Sequence, residues 1–271
     1  MNVKLYKDRN WLESKYSKDN LSQREVARIC KVKEDSAVNY WMKKFRIPIR
    51  SHSESSHLAN ANHCNLSSEA LEWINGELLG DGCVHAYNKY SALIVYSSKF
   101  PKYIKYVSNT LKSFGIKQAG KIHKQRDKKW NCFYYCYNSL CYEELLLLRQ
   151  KWYPNNKKIV PRDIKLTPLL CRQWYIGDSH LEHPKDSRPN IVISTCGFPI
   201  PDVEFLKEKL INLGFKTTRY PNNNSIHISV HSTKEFLNYI GPCPVKDYQY
   251  KWDYYKKEKE VNTEIKVLPQ G

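Results

Sequence analysis

The chain has 271 residues, of which 41% are hydrophobic and 26% charged, as expected for a folded protein of one to three domains. Its 44 lysines and arginines against 27 acidic residues give a formal net charge of +17. This excess favours a polyanionic partner, with nucleic acid ahead of an anionic membrane surface. Because no apolar stretch is long enough to span a membrane and the N-terminus lacks a signal-peptide core, we expect an intracellular protein of a reducing compartment, the cytoplasm or an organelle matrix.

Nine cysteines raise the question of a zinc site. The one cluster, Cys132, Cys136 and Cys141, lacks the C-x2-C spacing that is typical of structural zinc. Cys132 and Cys136 also fall on one face of a predicted strand. We therefore expect these cysteines to be small apolar side chains rather than metal ligands.

Residues 1–50 are predicted to form a separate helical unit. One helix is expected over 22–30, where Ser22 and Glu25 have the spacing of a capping box. A second is expected over 35–45, with an apolar stripe on one side. Two short helices across a tight turn resemble a helix-turn-helix, and an ordinary helical hairpin is the alternative. In the helix-turn-helix interpretation, the outer side of the second helix contacts DNA through Ser36, Asn39, Tyr40 and Lys43.

The rest of the chain contains an internal duplication, between a polar, serine-rich linker at 51–65 and a charged tail at 256–271 that is expected to be frayed. Phe100-Pro101 recurs as Phe198-Pro199, and SFGIK at 113–117 recurs as NLGFK at 212–216. The offsets, 98 and 99 residues, are nearly the same. A period this long predicts two similar lobes, a first repeat at 66–160 and a second at 161–255, rather than a solenoid.

Each repeat has the pattern αββαββα, which belongs to the α+β class. The first helices begin at the caps Ser67 and Thr167, with Pro168 in the first helical position. Further helices are expected at 101–114 and 201–213. Strands are expected at 84–88, 92–98, 119–125, 132–138, 180–183, 190–195, 216–220 and 225–231.

Several of these strands alternate apolar and polar residues, which predicts one buried face and one face available to a DNA groove. A solvated sheet face would give the same pattern, but its presence in both repeats and the net charge favour DNA. The residues expected to contact DNA from the strands or their ends are Lys121, His123, Gln125, Arg126, Arg188, Thr217, Arg219, His227, Ser229 and His231.

Two short motifs end the first helix of each repeat. Residues 76–82 read GELLGDG, and residues 174–179 read WYIGDS. A glycine before each aspartate would let two helix ends approach closely. A carboxylate at the end of each of two paired helices suits divalent metal and hence phosphodiester hydrolysis.

Residues 74–82, INGELLGDG, resemble the motif of LAGLIDADG homing endonucleases, and residues 171–179, CRQWYIGDS, resemble a weaker second copy. The lead-in segments KIVP at 158–161 and LTP at 166–168 are also similar to that family. The resemblance covers roughly 66–255. It implies a duplicated fold with pseudo-two-fold symmetry, in which a saddle of antiparallel sheets lies over DNA, with the helical unit added at the N-terminus.

The resemblance also implies the chemistry. Asp81 and Asp178 would bind Mg²⁺, with Gly80 and Gly177 beside them as further metal-site residues; Mn²⁺ would substitute, and Ca²⁺ would bind without supporting cleavage. A lysine and a glutamine from the strands usually assist, and Lys99 and Gln125 are the candidates.

The second copy departs from the family pattern in two ways. Ser179 replaces the final glycine, and Gly197 stands where Lys99 lies in the first repeat. A missing lysine removes a charge that would stabilise the water or leaving group. On this basis we expect the two DNA strands to be cut at different rates, with the half associated with Lys99 the faster.

The expected function is that of a monomeric, intron-encoded or free-standing nuclease which cuts both DNA strands at a long pseudo-palindromic site by means of metal-activated water. The alternative is a non-catalytic DNA-binding regulator or an RNA-splicing maturase on the same scaffold. Retention of both Asp81 and Asp178 favours the nuclease.

Overall fold

A computed structural model describes residues 4–128, 131–183 and 188–254. The chain divides into two compact units, with the boundary between Ala61 and Asn62. The tail predicted at 256–271 lies outside the described residues. Among those that are described, no helix is both long and apolar enough to cross a membrane. All nine cysteines are free thiols.

The first unit is all-helical. The two helices predicted there are present as α2 (Gln23–Ile29) and α3 (Ser36–Lys44). The capping box is formed: Glu25 N–H donates to Ser22 Oγ (3.2 Å), and Ser22 N–H donates to Glu25 Oε2 (2.7 Å). Val38 and Met42 of α3 pack into a small core with Leu12 and Val26. The helices are α1 (Arg9–Glu13), a π-helical turn (Ser14–Lys18), α2 (Gln23–Ile29), α3 (Ser36–Lys44) and α4 (His52–Asn60).

Helix α4 lies within the segment expected to be a polar, serine-rich linker. Ser51 caps it by accepting a hydrogen bond from the N–H of Glu54 (3.2 Å). The helix buries none of its residues, so its sequence lacks the apolar stripe that usually reveals a helix. The cap pattern, serine followed three residues later by glutamate, was the available signal.

The second unit contains the two predicted repeats. The first consists of α5 (Ser68–Leu79), β1 (Cys83–Ala86), β2 (Ala92–Ser98), α6 (Pro101–Ser113), β3 (His123–Asp127), β4 (Cys132–Asn138) and α7 (Glu143–Trp152). The second consists of α8 (Pro168–Asp178), β5 (Ser179–Glu182), β6 (Asn190–Ile193), α9 (Ile200–Asn212), β7 (Thr217–Tyr220), β8 (Ser225–Ile228) and α10 (Thr233–Ile240).

Both repeats build the same sheet. The strand orders are β1-β2-β4-β3 and β5-β6-β8-β7, and all neighbours are antiparallel. One hydrophobic core runs through both repeats and includes the buried Trp152 and Trp174. The duplicated αββαββα architecture expected from the sequence is therefore present, with α5 and α8 packed against each other.

Candidate active site at the seam of the two repeats

Glycines bring the ends of α5 and α8 into close contact. A Cβ atom added to Gly76 would lie 2.5 Å from the carbonyl oxygen of Leu170, and one added to Gly177 would lie 2.9 Å from the backbone nitrogen of Asp81. Gly80 and Gly177 face each other at the end of this seam, since a Cβ on Gly80 would lie 3.2 Å from Gly177 Cα. The seam therefore places the residues that follow these two glycines, Asp81 and Asp178, side by side.

The two carboxylates both have a raised pKa, and the charge of Asp81 acts on Asp178. Asp81 is open to solvent and Asp178 is half-buried. Burial and the negative charge of Asp81 together raise the pKa of Asp178 to about 6, although Lys158 and Lys251 oppose this effect. The pKa of Asp81 is also raised, chiefly by the protein around it, while Lys251 and Lys158 act to lower it. Two neighbouring acids that both have a raised pKa favour a cation beside them, because a positive charge stabilises their ionised forms.

Two buried or half-buried lysines complete the cluster. Lys158 lies 77 residues after Asp81 and Lys251 lies 73 residues after Asp178, so each follows the last α-helix of its own repeat. The charges of both lysines act on both carboxylates. The site therefore receives one acid and one lysine from each repeat.

Lys251 is held firmly by the second motif helix. Its Nζ donates to the carbonyl of Ile176 (2.5 Å) and approaches that of Tyr175 (3.5 Å). In return, Tyr175 Oη donates to the backbone carbonyl of Lys251 (2.5 Å). Burial lowers the pKa of Lys251 to about 8, although Asp81 and Asp178 oppose this effect.

Lys158 occupies the corresponding place at the end of the first motif helix. Its Nζ donates to the carbonyl of Gly80 (3.3 Å) and lies 5.3 Å from the ring centroid of Phe198. Burial lowers the pKa of Lys158, while the charges of Asp178 and Asp81 raise it. Such a lysine releases its proton more readily than one on the surface.

A buried glutamate lies below the first carboxylate. Glu77 is 4% exposed and accepts a hydrogen bond from Tyr103 Oη (2.8 Å), whereas its Oε2 atom has no hydrogen-bond partner. Burial raises the pKa of Glu77 to about 8. Trp174 occupies the equivalent position of the second motif, five residues before Ser179. The buried acid at Glu77 therefore has no counterpart in the second repeat.

The donor set fits a divalent metal ion. Carboxylates and backbone carbonyls are the hard oxygen ligands that Mg²⁺ prefers, and Mg²⁺ commonly uses only one or two carboxylates together with phosphates and water. The described residues contain no group of three or more histidine, cysteine, aspartate or glutamate side chains able to hold a metal. Asp81 and Asp178, which both have a raised pKa and lie at the end of the seam, are the residues suited to this role.

The two residues expected to assist from the strands, Lys99 and Gln125, are both exposed in the first repeat. Lys99 is exposed just beyond β2, with its Nζ 5.9 Å from the ring centroid of Tyr134. Gln125 is exposed on β3, and its Oε1 accepts from Cys136 Sγ (3.6 Å). The lysines that act on the acids are Lys158 and Lys251, one from each repeat. The expectation that the half associated with Lys99 cuts faster stays a prediction.

The family can now be assigned. The model of the LAGLIDADG DNA endonuclease family matches residues 71–236, more than half of the chain. This protein belongs to the LAGLIDADG DNA endonuclease family. The match includes both acidic motifs and both sheets.

One curated protein and one solved structure are similar to parts of this LAGLIDADG protein. An uncharacterized protein of Methanocaldococcus jannaschii is 29% identical over 148 residues, which are 54% of this chain and 57% of the relative. The chain thus spans little more than half of that relative. The structure of the homing endonuclease I-WcaI bound to its DNA recognition sequence is 21% identical, with a TM-score of 0.61 over 77% of this chain and 96% of that chain. This likeness concerns the fold.

The first LAGLIDADG repeat presents a polar sheet face. Ser97, Cys136 and His123 are neighbours in one cross-strand row, and Gln125 pairs with Tyr134 in the next. Strand β3 begins at His123 rather than at 119, so the predicted contact residue Lys121 lies before the strand. Its exposed position there is compatible with a phosphate contact but not with the predicted strand face.

Arg126 alternates away from His123 and Gln125. It pairs in register with Phe133, and its guanidinium donates to Asn131 Oδ1 (2.6 Å) in the hairpin turn. Arg126 is exposed, so a contact with DNA from this position would come from the hairpin end of the sheet.

In the second LAGLIDADG repeat, the predicted face of β7 is wrong by one residue. Thr217 Oγ1 donates to the carbonyl of Lys207, and Arg219 Nε donates to Glu204 Oε1 (2.6 Å), so both point toward α9. The reason is the buried Phe215: because side chains alternate along a strand, residues 217 and 219 point to the same inner side as residue 215. The exposed face instead carries Thr218 and Tyr220.

His227 does lie on this outer face. Its ring stacks on that of Tyr220 with centroids 3.7 Å apart, and Thr218 is its partner in register. Strand β8 ends at Ile228, however. Ser229 and His231 therefore lie in the turn before α10, where Ser229 O accepts from the hydroxyl of Thr233 (3.1 Å), and not on the predicted strand face.

The remaining predicted DNA contacts lie outside the sheets. Arg188 is exposed just before β6. On α3 of the first unit, Ser36, Tyr40 and Lys43 are exposed, with Tyr40 62% exposed, whereas Asn39 is half-buried and its Oδ1 atom is buried without a hydrogen-bond partner. Three of the four predicted α3 residues are therefore available to a partner.

Proposed function

We propose that this protein is a monomeric, site-specific endonuclease that hydrolyses both strands of double-stranded DNA at a long, pseudo-palindromic target, with Mg²⁺ as its metal ion. The observation that carries the proposal is the cluster at the helix seam. Asp81 and Asp178 are adjacent, and Lys158 and Lys251 act on both of them. A scaffold that only bound DNA would have no need for paired acids with raised pKa values.

The acids and lysines have distinct roles in this proposal. Asp81 and Asp178, with the backbone of Gly80 and Gly177, would hold the metal. When bound, a divalent ion polarises the scissile phosphate and lowers the pKa of water. Lys158 and Lys251 stabilise the negative charge that develops on the phosphate and the leaving oxygen. Because the pKa of Lys251 is about 8, this lysine exchanges its proton near neutral pH and can protonate the leaving oxygen.

Binding is proposed to involve both sheets and α3. The outer faces carry His123 and Gln125 in one repeat and Tyr220 and His227 in the other. A net charge of +17 supplies attraction to the phosphate backbone that does not depend on sequence. Tyr40 on the exposed side of α3 would extend the contact beyond the sheets.

The test is cleavage of a library of randomised DNA duplexes, with the cut ends sequenced, by wild type, Asp81→Asn and Asp178→Asn in Mg²⁺. We expect wild type to cut defined sites and each variant to lose cutting by at least about 100-fold, since removal of a group that stabilises transition-state charge has effects of this size. Binding of the recovered site in Ca²⁺ should survive in both variants. The matched control is Asp163→Asn, which changes an exposed aspartate that is paired with Lys151.

Two outcomes contradict the proposal. Mg²⁺-dependent cutting that persists in both aspartate variants would place the chemistry elsewhere. Specific binding of duplex DNA without cutting by wild type would favour a DNA-binding regulator, and preferential binding of structured RNA would favour a maturase.

A further inference from the structure

The segment that carries Lys158 is held by the opposite repeat. Val160 N–H donates to Asp202 Oδ2 (2.9 Å), and Arg162 Nη2 donates to Asp202 Oδ1 (2.6 Å). Asp202 lies in the first turn of α9, is 4% exposed, and uses both carboxylate oxygens in these bonds. Arg162 also lies over the ring of Phe205, 4.7 Å from its centroid.

The other side of the same segment is tied to the first repeat. Ile159 N–H donates to the carbonyl of Trp152 (2.8 Å), and Trp152 Nε1 donates to Asn75 Oδ1 on the first motif helix (2.9 Å). The two residues that follow Lys158 are thus fixed from both repeats: Ile159 by Trp152 of the first and Val160 by Asp202 of the second. The Nζ atom then reaches Gly80 O at 3.3 Å.

We infer that Asp202 is a positioning residue for Lys158: it fixes the backbone at Val160 so that the lysine of the first repeat reaches the acids only when the second repeat is folded against it. This inference rests on the proposed function. A carboxylate is suited to the task because it accepts two charge-assisted or backbone bonds at once, and burial makes such bonds strong. A displacement of about 1 Å at a reacting group is enough to reduce rates about 100-fold.

The other lysine is arranged differently, which makes the role of Asp202 specific to one half. By the Phe-Pro alignment of the repeats, Asp202 corresponds to the buried, apolar Ile104. Lys251 is instead fixed by Tyr175 and by the ring of Tyr248, whose centroid lies 5.1 Å from Nζ. Loss of Asp202 should therefore act through Lys158 and leave Lys251 in place.

The experiment measures single-turnover cleavage in Mg²⁺ at saturating protein, using the site recovered from the library, for full-length Asp202→Ala. We expect a rate about 10- to 100-fold lower than wild type, as is typical when a supporting hydrogen bond is removed, and a DNA dissociation constant within about twofold of wild type, because the DNA-facing residues are untouched. Asp202→Asn, which restores an acceptor for Val160 N–H, should recover most of the rate. Asp163→Asn, in the same segment but exposed, is the matched control.

A double-mutant cycle separates positioning from general damage. With Lys158→Met as background, Asp202→Ala should slow cleavage by less than about twofold further, because the lysine it positions is gone. With Lys251→Met as background, it should slow cleavage by its full factor. An equal factor on both backgrounds, or an unchanged rate in Asp202→Ala, overturns the inference.

A readout independent of cleavage distinguishes this inference from the proposed function. Hydrogen exchange of a peptide covering 157–162 should speed up at least about tenfold in Asp202→Ala, since a buried amide loses its acceptor, while peptides from α5 stay unchanged. If wild type does not cleave DNA, the proposed function fails, and the exchange result still tests whether Asp202 fixes the backbone at Val160. If Asp202→Ala does not fold, Arg162→Met, which removes one bond to Asp202 and keeps Val160's, takes its place with the same cycle and a smaller expected factor of about threefold.

Discussion

Replacement of Glu77 by glutamine should make the second unit more stable, and increasingly so as the pH rises. In the folded protein burial raises the pKa of Glu77 from its ordinary 4.5 to about 8. The unfolded chain loses this proton near pH 4.5, whereas the folded chain keeps it. Between these values the folded state binds more protons, so stability falls as the pH rises from about 4.5 to about 8. Glutamine mimics the neutral acid and does not titrate.

The size of the effect follows from the two pKa values. Each unit of difference corresponds to about 1.4 kcal/mol. The titration of Glu77 should therefore lower the free energy of unfolding by about 3 kcal/mol at pH 7 and by about 5 kcal/mol above pH 8, relative to pH 4, as order-of-magnitude figures. The amide that replaces Oε2, an atom with no hydrogen-bond partner, adds a cost that does not change with pH.

The assay is urea unfolding of the full chain between pH 5 and pH 9, read by hydrogen exchange in peptides from α5, so that the second unit is followed by itself. The quantity compared is the free energy of unfolding of Glu77→Gln minus that of wild type. The control is Glu69→Gln, which changes an exposed glutamate in the first turn of the same helix. A difference that stays constant across this pH range would show that Glu77 ionises normally in the folded protein.

Three further outcomes are expected. Gly76→Ala should destabilise the second unit by about 1–3 kcal/mol, because its Cβ would meet the Leu170 carbonyl at 2.5 Å. Gly197→Ala, with open space around the added Cβ, is the control and should not destabilise it. Equal thermal midpoints for the two variants would contradict the close seam. Tyr220→Ala should weaken DNA binding and leave the thermal midpoint unchanged. Arg219→Ala should lower the thermal midpoint and leave DNA binding unchanged, since Arg219 is paired with Glu204. Gel-shift and melting measurements decide this. DNA affinity should fall at least about tenfold between 50 and 200 mM salt, and a flat salt titration would contradict an electrostatic interface.

Much of the architecture could be predicted because the sequence contains an internal duplication. The matching landmarks of the duplication, together with the caps at Ser67 and Thr167, define the repeats and the motif helices, and both caps are formed as expected. The glycines at 76, 80 and 177 indicated a close seam, because only residues without a Cβ allow backbones to approach so near. These features depend on local sequence and were therefore readable.

The two lysines of the site were harder to find because they depend on long-range packing. Lys158 and Lys251 stand at the ends of their repeats, more than seventy residues from the acids, and lysine is so common in this chain that neither stood out. Their similar spacing from Asp81 and Asp178 was the signal. The face of β7 was missed for a related reason: a polar strand of four residues has no inward apolar residue, and only Phe215 before it reveals the register.

The order of the site's residues along the chain has a consequence for its synthesis. Translation delivers the helical first unit before Asp81, Lys158 and Asp178. Lys251 comes last, at the end of the short 3₁₀ helix Lys246–Lys251 that follows α10. A nascent chain therefore holds both acids before it holds its second lysine. In the proposed nuclease, the set of two acids and two lysines would therefore be complete only after the segment that carries Lys251 has left the ribosome.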